Sequence, residues 1–163
     1  MRRTKLRRPR TIVALLAALI IPIMAFAAPA NAAGTHLMES SGSFRIGAPD
    51  LSDFAPVVET TAGRDLQIVG AGTGTAGQVK IEFTGTTGPD LCVAASDSGV
   101  TVVVHTCSGQ LGTVWSEQME NGHRLFLSRE FNMPPRYLCG LDDGTQFRME
   151  SLGQGFRCRF DLV

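Results

Sequence analysis

The sequence has no Gly-x-Ser-x-Gly elbow, no His-Glu-x-x-His and no glycine loop followed by Lys and Ser or Thr. The short signatures of serine hydrolases, zinc peptidases and P-loop enzymes therefore have no carrier here. Gly70 to Gly77 is glycine-rich, but a strand pattern follows it, so a phosphate cradle has no helix N-terminus to use. Cysteine is scarce, at four residues, and none of the spacings is the close doublet of a zinc site. The three histidines, His36, His105 and His123, are scattered and show no relay spacing to a Ser, Cys or carboxylate. Taken together, these absences predict a chain that is not an enzyme and that holds no metal and no cofactor.

What is present begins with a leader. The first ten residues carry six basic side chains and no acid, and an unbroken apolar run follows from Ile12 to Ile21. Pro22 interrupts it, apolar residues resume to Ala28, and Ala30-Asn31-Ala32 has the small-x-small form that a signal peptidase accepts. Residues 1–32 read as a signal peptide cleaved after Ala32. Their apolar stretch is close to the length of a short membrane span, about 17 residues, but the proline and the alanine-rich end favour cleavage over anchoring. The expected product is secreted, extracellular, monomeric and away from the membrane.

Cleavage changes the charge. The leader holds six of the 15 Lys and Arg and none of the 15 acids, which leaves nine bases against 15 acids, a formal charge of −6. An acidic surface of this kind is unsuited to polyphosphate, so nucleic acid is excluded as a partner. The remaining 131 residues are enough for one domain with a real hydrophobic core. Residues 33–43 are small and polar and read as a flexible tail, which leaves 44–163 as the domain.

The periodicity within that domain is that of strands, with no convincing helix. Short alternating or β-branched runs lie at Leu66 to Val69, Gln78 to Phe83, Val100 to His105, Thr113 to Glu117, Arg124 to Ser128, Gln146 to Met149 and Phe156 to Phe160. Turn residues separate them, Asn121-Gly122 in hairpin form and Asp142-Asp143-Gly144 by the same logic. Such spacing fits a β-sandwich or a barrel-like fold. Four cysteines allow three connectivities. The strand–turn–strand stretch inside each pair favours Cys92 with Cys107 and Cys139 with Cys158, oxidised as an extracellular domain requires.

A faint repeat is visible: Pro49-Asp50-Leu51 recurs as Pro89-Asp90-Leu91, and Tyr137-Leu138-Cys139 follows further on, suggesting three units of about 40 residues. The stretch Leu91-Cys92-Val93, Val100 to Val104, Cys107-Ser108-Gly109 and Trp115 resembles the repeat unit of ricin B-type lectins. Leu138-Cys139, the Asp142 to Thr145 turn, Gln146 to Met149, and Phe160 in the tryptophan's place look like a diverged copy. This resemblance implies a β-trefoil with three pseudo-repeats, Trp115 as a core aromatic, and a polysaccharide or glycan as ligand.

Sugar sites of that family use an aspartate just after the Cys-apolar pair, a stacking aromatic ring, and a polar residue linked to a Gln-x-Trp segment. In the middle unit the aspartate position reads Ala94 and the glutamine reads Thr113, so that site is disabled. In the last unit Asp142 falls one residue past the expected position, with Asp143 beside it, and Cys158-Arg159-Phe160 replaces Gln-x-Trp. Asp142 and Asp143 are thus the candidate ligand-binding residues. The alternative partner is a secreted protease, met by the stiff loop Glu130 to Arg136 with Pro134-Pro135.

Overall fold

The structure is a computed structural model and describes residues 36–40, 42, 44–108, 111–141, 144–153 and 155–163. Among these residues twelve antiparallel strands form one sheet. They are β1 (Leu37–Glu39), β2 (Arg45–Gly47), β3 (Val58–Thr60), β4 (Leu66–Gly70), β5 (Gln78–Phe83), β6 (Leu91–Ala95), β7 (Val102–Thr106), β8 (Trp115–Glu120), β9 (His123–Asn132), β10 (Pro135–Cys139), β11 (Arg148–Glu150) and β12 (Phe160–Leu162). Among the described residues the one helical piece is a 3-10 turn, Leu111–Thr113, and no helix is long and apolar enough to cross a membrane.

Local sequence explains the strands. In β5 the order Gln-Val-Lys-Ile-Glu-Phe alternates half-buried with buried positions, so Val79, Ile81 and Phe83 share the core face. Between β8 and β9 both residues of the Asn121-Gly122 turn have positive φ, 53° and 87°. That is the geometry whose twist matches a two-residue hairpin. Six residue pairs follow in unbroken register, from Glu120 opposite His123 to Trp115 opposite Ser128.

The wall of the barrel runs β1, β12, β9, β8, β5, β4, and the hairpins β2–β3, β6–β7 and β10–β11 cap one end. At the cap three backbone bonds close a ring. The N–H of Val57 donates to Val102 O (3.1 Å), that of Val102 to Phe147 O (3.1 Å), and that of Phe147 to Val57 O (2.9 Å). A second threefold set lies in the barrel, where the N–H groups of Ser40, Thr84 and Arg129 donate to the carbonyls of Arg159, Asp65 and Val114. This is a β-trefoil, and a cyclic arrangement about one axis excludes the sandwich.

Two expectations change. The ring spaces the units 45 residues apart, and the Pro-Asp-Leu recurrence is coincidental: Pro49-Asp50-Leu51 follows β2, whereas Pro89-Asp90 precedes β6. Within the supposed tail, Leu37–Glu39 is a barrel strand with Leu37 fully buried against the core. Its pairing with the last strand, Leu37 opposite Leu162 and Glu39 opposite Phe160, explains why a three-residue segment is ordered at all.

The core follows the same symmetry. Leu66, Trp115 and Phe160 occupy equivalent positions, opposite Phe83, Ser128 and Glu39, and all three are fully buried. The Trp115 indole N–H donates to Val93 O at 2.9 Å, which satisfies its polar atom inside the core. Both disulfides form within units, Cys92 to Cys107 and Cys139 to Cys158.

Candidate ligand-binding surface

Register fixes which residues stand where the three units would each carry a polar pair. Gly47 lies opposite Val58, Ala94 opposite Val103 and Cys139 opposite Arg148, and Val58, Val103 and Arg148 each follow a member of the axial ring. Gly47, Ala94 and Cys139 are therefore equivalent. Counting back two residues from Leu66, Trp115 and Phe160 makes Arg64, Thr113 and Cys158 equivalent as well. In the lectin-like reading the first set is the aspartate position and the second the glutamine position. No unit carries that pair. In the last unit both positions are cysteine, and the Cys139–Cys158 disulfide joins them covalently.

This register sets Asp142 three residues beyond the aspartate position rather than one. Asp142 and Asp143 themselves lie outside the described residues. Gly144, the next described residue after them, is held from outside its own unit, because its N–H donates to Glu59 Oε2 at 2.9 Å. Glu59 is buried, as is Glu39, and a Cβ on the buried Gly140 would collide with the carboxylates of both. Glycine is required at that point for two acids from the first unit to reach beneath the third. Sequence reading missed both glutamates, since short strands gave no sign that they point inward.

Among the described residues a cleft of about 290 Å³ lies on the boundary between the second and third units. One wall is the β6–β7 turn, with Ser98, Gly99 and Val100, and the other is the end of β9, the turn after it and the start of β10, with Glu130, Phe131, Met133, Pro134 and Arg136. Gly99, at φ 66°, lets the Phe131 ring lie on the backbone, as a Cβ there would fall 2.7 Å from a ring carbon. The N–H of Phe131 donates to the buried Ser128 hydroxyl (3.1 Å), and Arg136 donates to Met149 O (3.2 Å) with the Glu150 carboxylate 3.7 Å away. Met133 stands at the rim, 93% exposed. The cleft thus combines apolar walls with one acid, one guanidinium and one hydroxyl. The proline-bearing loop singled out in the sequence forms one side of it.

Each histidine meets an aspartate: His36 with Asp65 at 3.3 Å, His105 with Asp53 at 2.5 Å and His123 with Asp161 at 2.8 Å. Among the described residues no serine, threonine or cysteine side chain bonds any of the three rings. Glu82, Cys92 and Cys107 bring ligand atoms within 4.8 Å of one another, but the two sulfurs are spent in a disulfide and offer no thiolate to a metal.

No protein-family model matches the chain, and no curated protein matches it. Solved structures do. The chain is similar to a designed 3-fold symmetric protein, ThreeFoil, with a TM-score of 0.64 and 15% identity over 79% of this chain and 96% of that one. The fold is shared. A mosquitocidal holotoxin matches with a TM-score of 0.63 and 14% identity over 78% of this chain, but over 16% of the toxin chain, most of which has no counterpart here. At these identities the β-trefoil is what the likeness conveys.

Proposed function

We propose that the chain is a secreted, non-catalytic module that binds an extracellular glycan. The observation that carries this reading is the chemistry of the cleft. A pyranose presents an apolar face and hydroxyls that both donate and accept, and the cleft supplies Phe131 and Val100 for the first and Glu130, Arg136 and Ser98 for the second. Its two charges are opposite, which suits a neutral ligand. Secretion rests on the leader and is supported by the two disulfides. The secreted protein is expected to begin at Ala33, and intact-mass measurement checks it; a chain that keeps residues 1–32 in a membrane fraction refutes cleavage.

Retention on immobilised polysaccharides tests the ligand class. Glu130→Ala should weaken binding about tenfold, and Asp142→Ala with Asp143→Ala about ten- to a hundredfold if the last unit also touches the sugar, since a charged acceptor contributes about 1.5–3 kcal/mol. Thermal unfolding should hardly change for either. A wild type that binds no polysaccharide overturns the glycan reading. The second reading is a protein partner such as a secreted protease, favoured by the exposure of Met133 beside two prolines. Met133→Asp separates the two, because it abolishes a protein complex that buries this side chain.

A further inference from the structure

We propose that Asp53, Phe54 and His105 form a separate site, between the first and second units, that holds a single pyranose ring by stacking on Phe54 and hydrogen bonding to Asp53. The inference takes its ligand class from the glycan reading but does not use the cleft.

Phe54 has φ 67°, the left-handed region that a bulky residue rarely adopts, and the residue is nevertheless 60% exposed, so burial does not offset the strain. The backbone holds it there. The N–H of Phe54 donates to Val104 O (2.8 Å), that of Ala55 to Ser52 O (3.1 Å), and Asp50 accepts from both the Ser52 N–H (2.9 Å) and its hydroxyl (2.8 Å). One side of the ring rests on His105, with centroids 4.8 Å apart and planes tilted by 33°. The exposed side is left to solvent.

Asp53 Oδ1 contacts His105 Nδ1 at 2.5 Å and accepts from the Thr106 N–H at 3.3 Å. Its other oxygen, Oδ2, takes part in neither contact, and the side chain is 42% exposed. An exposed aromatic face beside an immobilised carboxylate matches the two sides of a sugar ring: C–H groups stack on the arene while vicinal hydroxyls donate to the acid. The site is built from two units, on residues 52 apart in sequence. It lies near the Thr106 end of β7, whereas the cleft lies past its other end at Val100, about 20 Å away at the rise of an extended strand.

The test is an NMR titration of the ¹⁵N-labelled secreted chain with the methyl glycosides of glucose, galactose, mannose and N-acetylglucosamine. At least one should shift the amides of Asp53, Phe54, Ala55 and Thr106 saturably. Phe54→Gly accepts the same φ without strain, so it should unfold at a temperature no lower than wild type while binding that glycoside at least about tenfold more weakly. Phe54→Trp should retain binding. Glu130→Ala should leave these shifts unchanged, which keeps failure at the cleft distinct from failure here. No saturable shift at these amides with any of the four, or wild-type affinity in Phe54→Gly, overturns the proposal.

Discussion

Trp115→Ala should destabilise the fold by about 3–5 kcal/mol, the usual cost of truncating a large buried aromatic. The indole fills one of three equivalent core positions, with Leu66 and Phe160 in the others, so its loss opens a cavity that neighbouring units are too tightly joined to collapse. It also leaves the Val93 carbonyl without the 2.9 Å bond it accepts. Trp115→Phe copies the side chain that the third unit already uses and should cost less, with loss of that hydrogen bond accounting for about 1–2 kcal/mol. Urea denaturation measures both. An alanine variant within about 1 kcal/mol of wild type would contradict the threefold core.

Removing the Cys139–Cys158 bridge should cost about 3 kcal/mol by the loop-entropy argument, from a separation of 19 residues. The sulfurs are buried in a small cluster with Leu125, flanked by Tyr137 and Phe156, so alanine at both positions loses packing as well. Cys92–Cys107, with a separation of 15 residues, should contribute a similar amount. Reducing both approaches the total stability of an ordinary domain, and full reduction should leave the chain mostly unfolded at 37 °C. Circular dichroism with and without reductant decides it, and a reduced chain that melts with the oxidised one would show that the bridges are dispensable.

The trefoil was legible where side chains alternate over several residues. The alternation over Gln78–Phe83 predicts the strand with the bounds it has, because six alternating positions suffice to define a face. Within Val100 to His105 the strand begins at Val102 instead, because Val100 and Thr101 belong to the turn and to a single bridge with Arg148. The three-residue strands β1, β2 and β3 were not legible, since so short a segment has no period and is held by partners distant in sequence. The cysteine spacing indicated both disulfides but not their inequivalence: Cys92 aligns with Tyr137 and Cys139 with Ala94, a two-residue offset visible only in the register. The Asp53–His105 contact bridges 52 residues, and Phe54 sits in a turn where nothing in the sequence announces a positive φ.

The pairing of β1 with β12 bears on the order in which such a chain can fold. Leu37 and Glu39 stand opposite Leu162 and Phe160 on one side of β1, while Met38 pairs with Arg45 on the other, and the axial ring is incomplete until Phe147 is in place. One edge of the first barrel strand therefore stays unmatched until β12 is in place. Every intermediate without β12 lacks a wall of its barrel, and so long-range a pairing forms slowly. The cycle thus closes only when β12 is present, whereas each disulfide joins residues of a single unit.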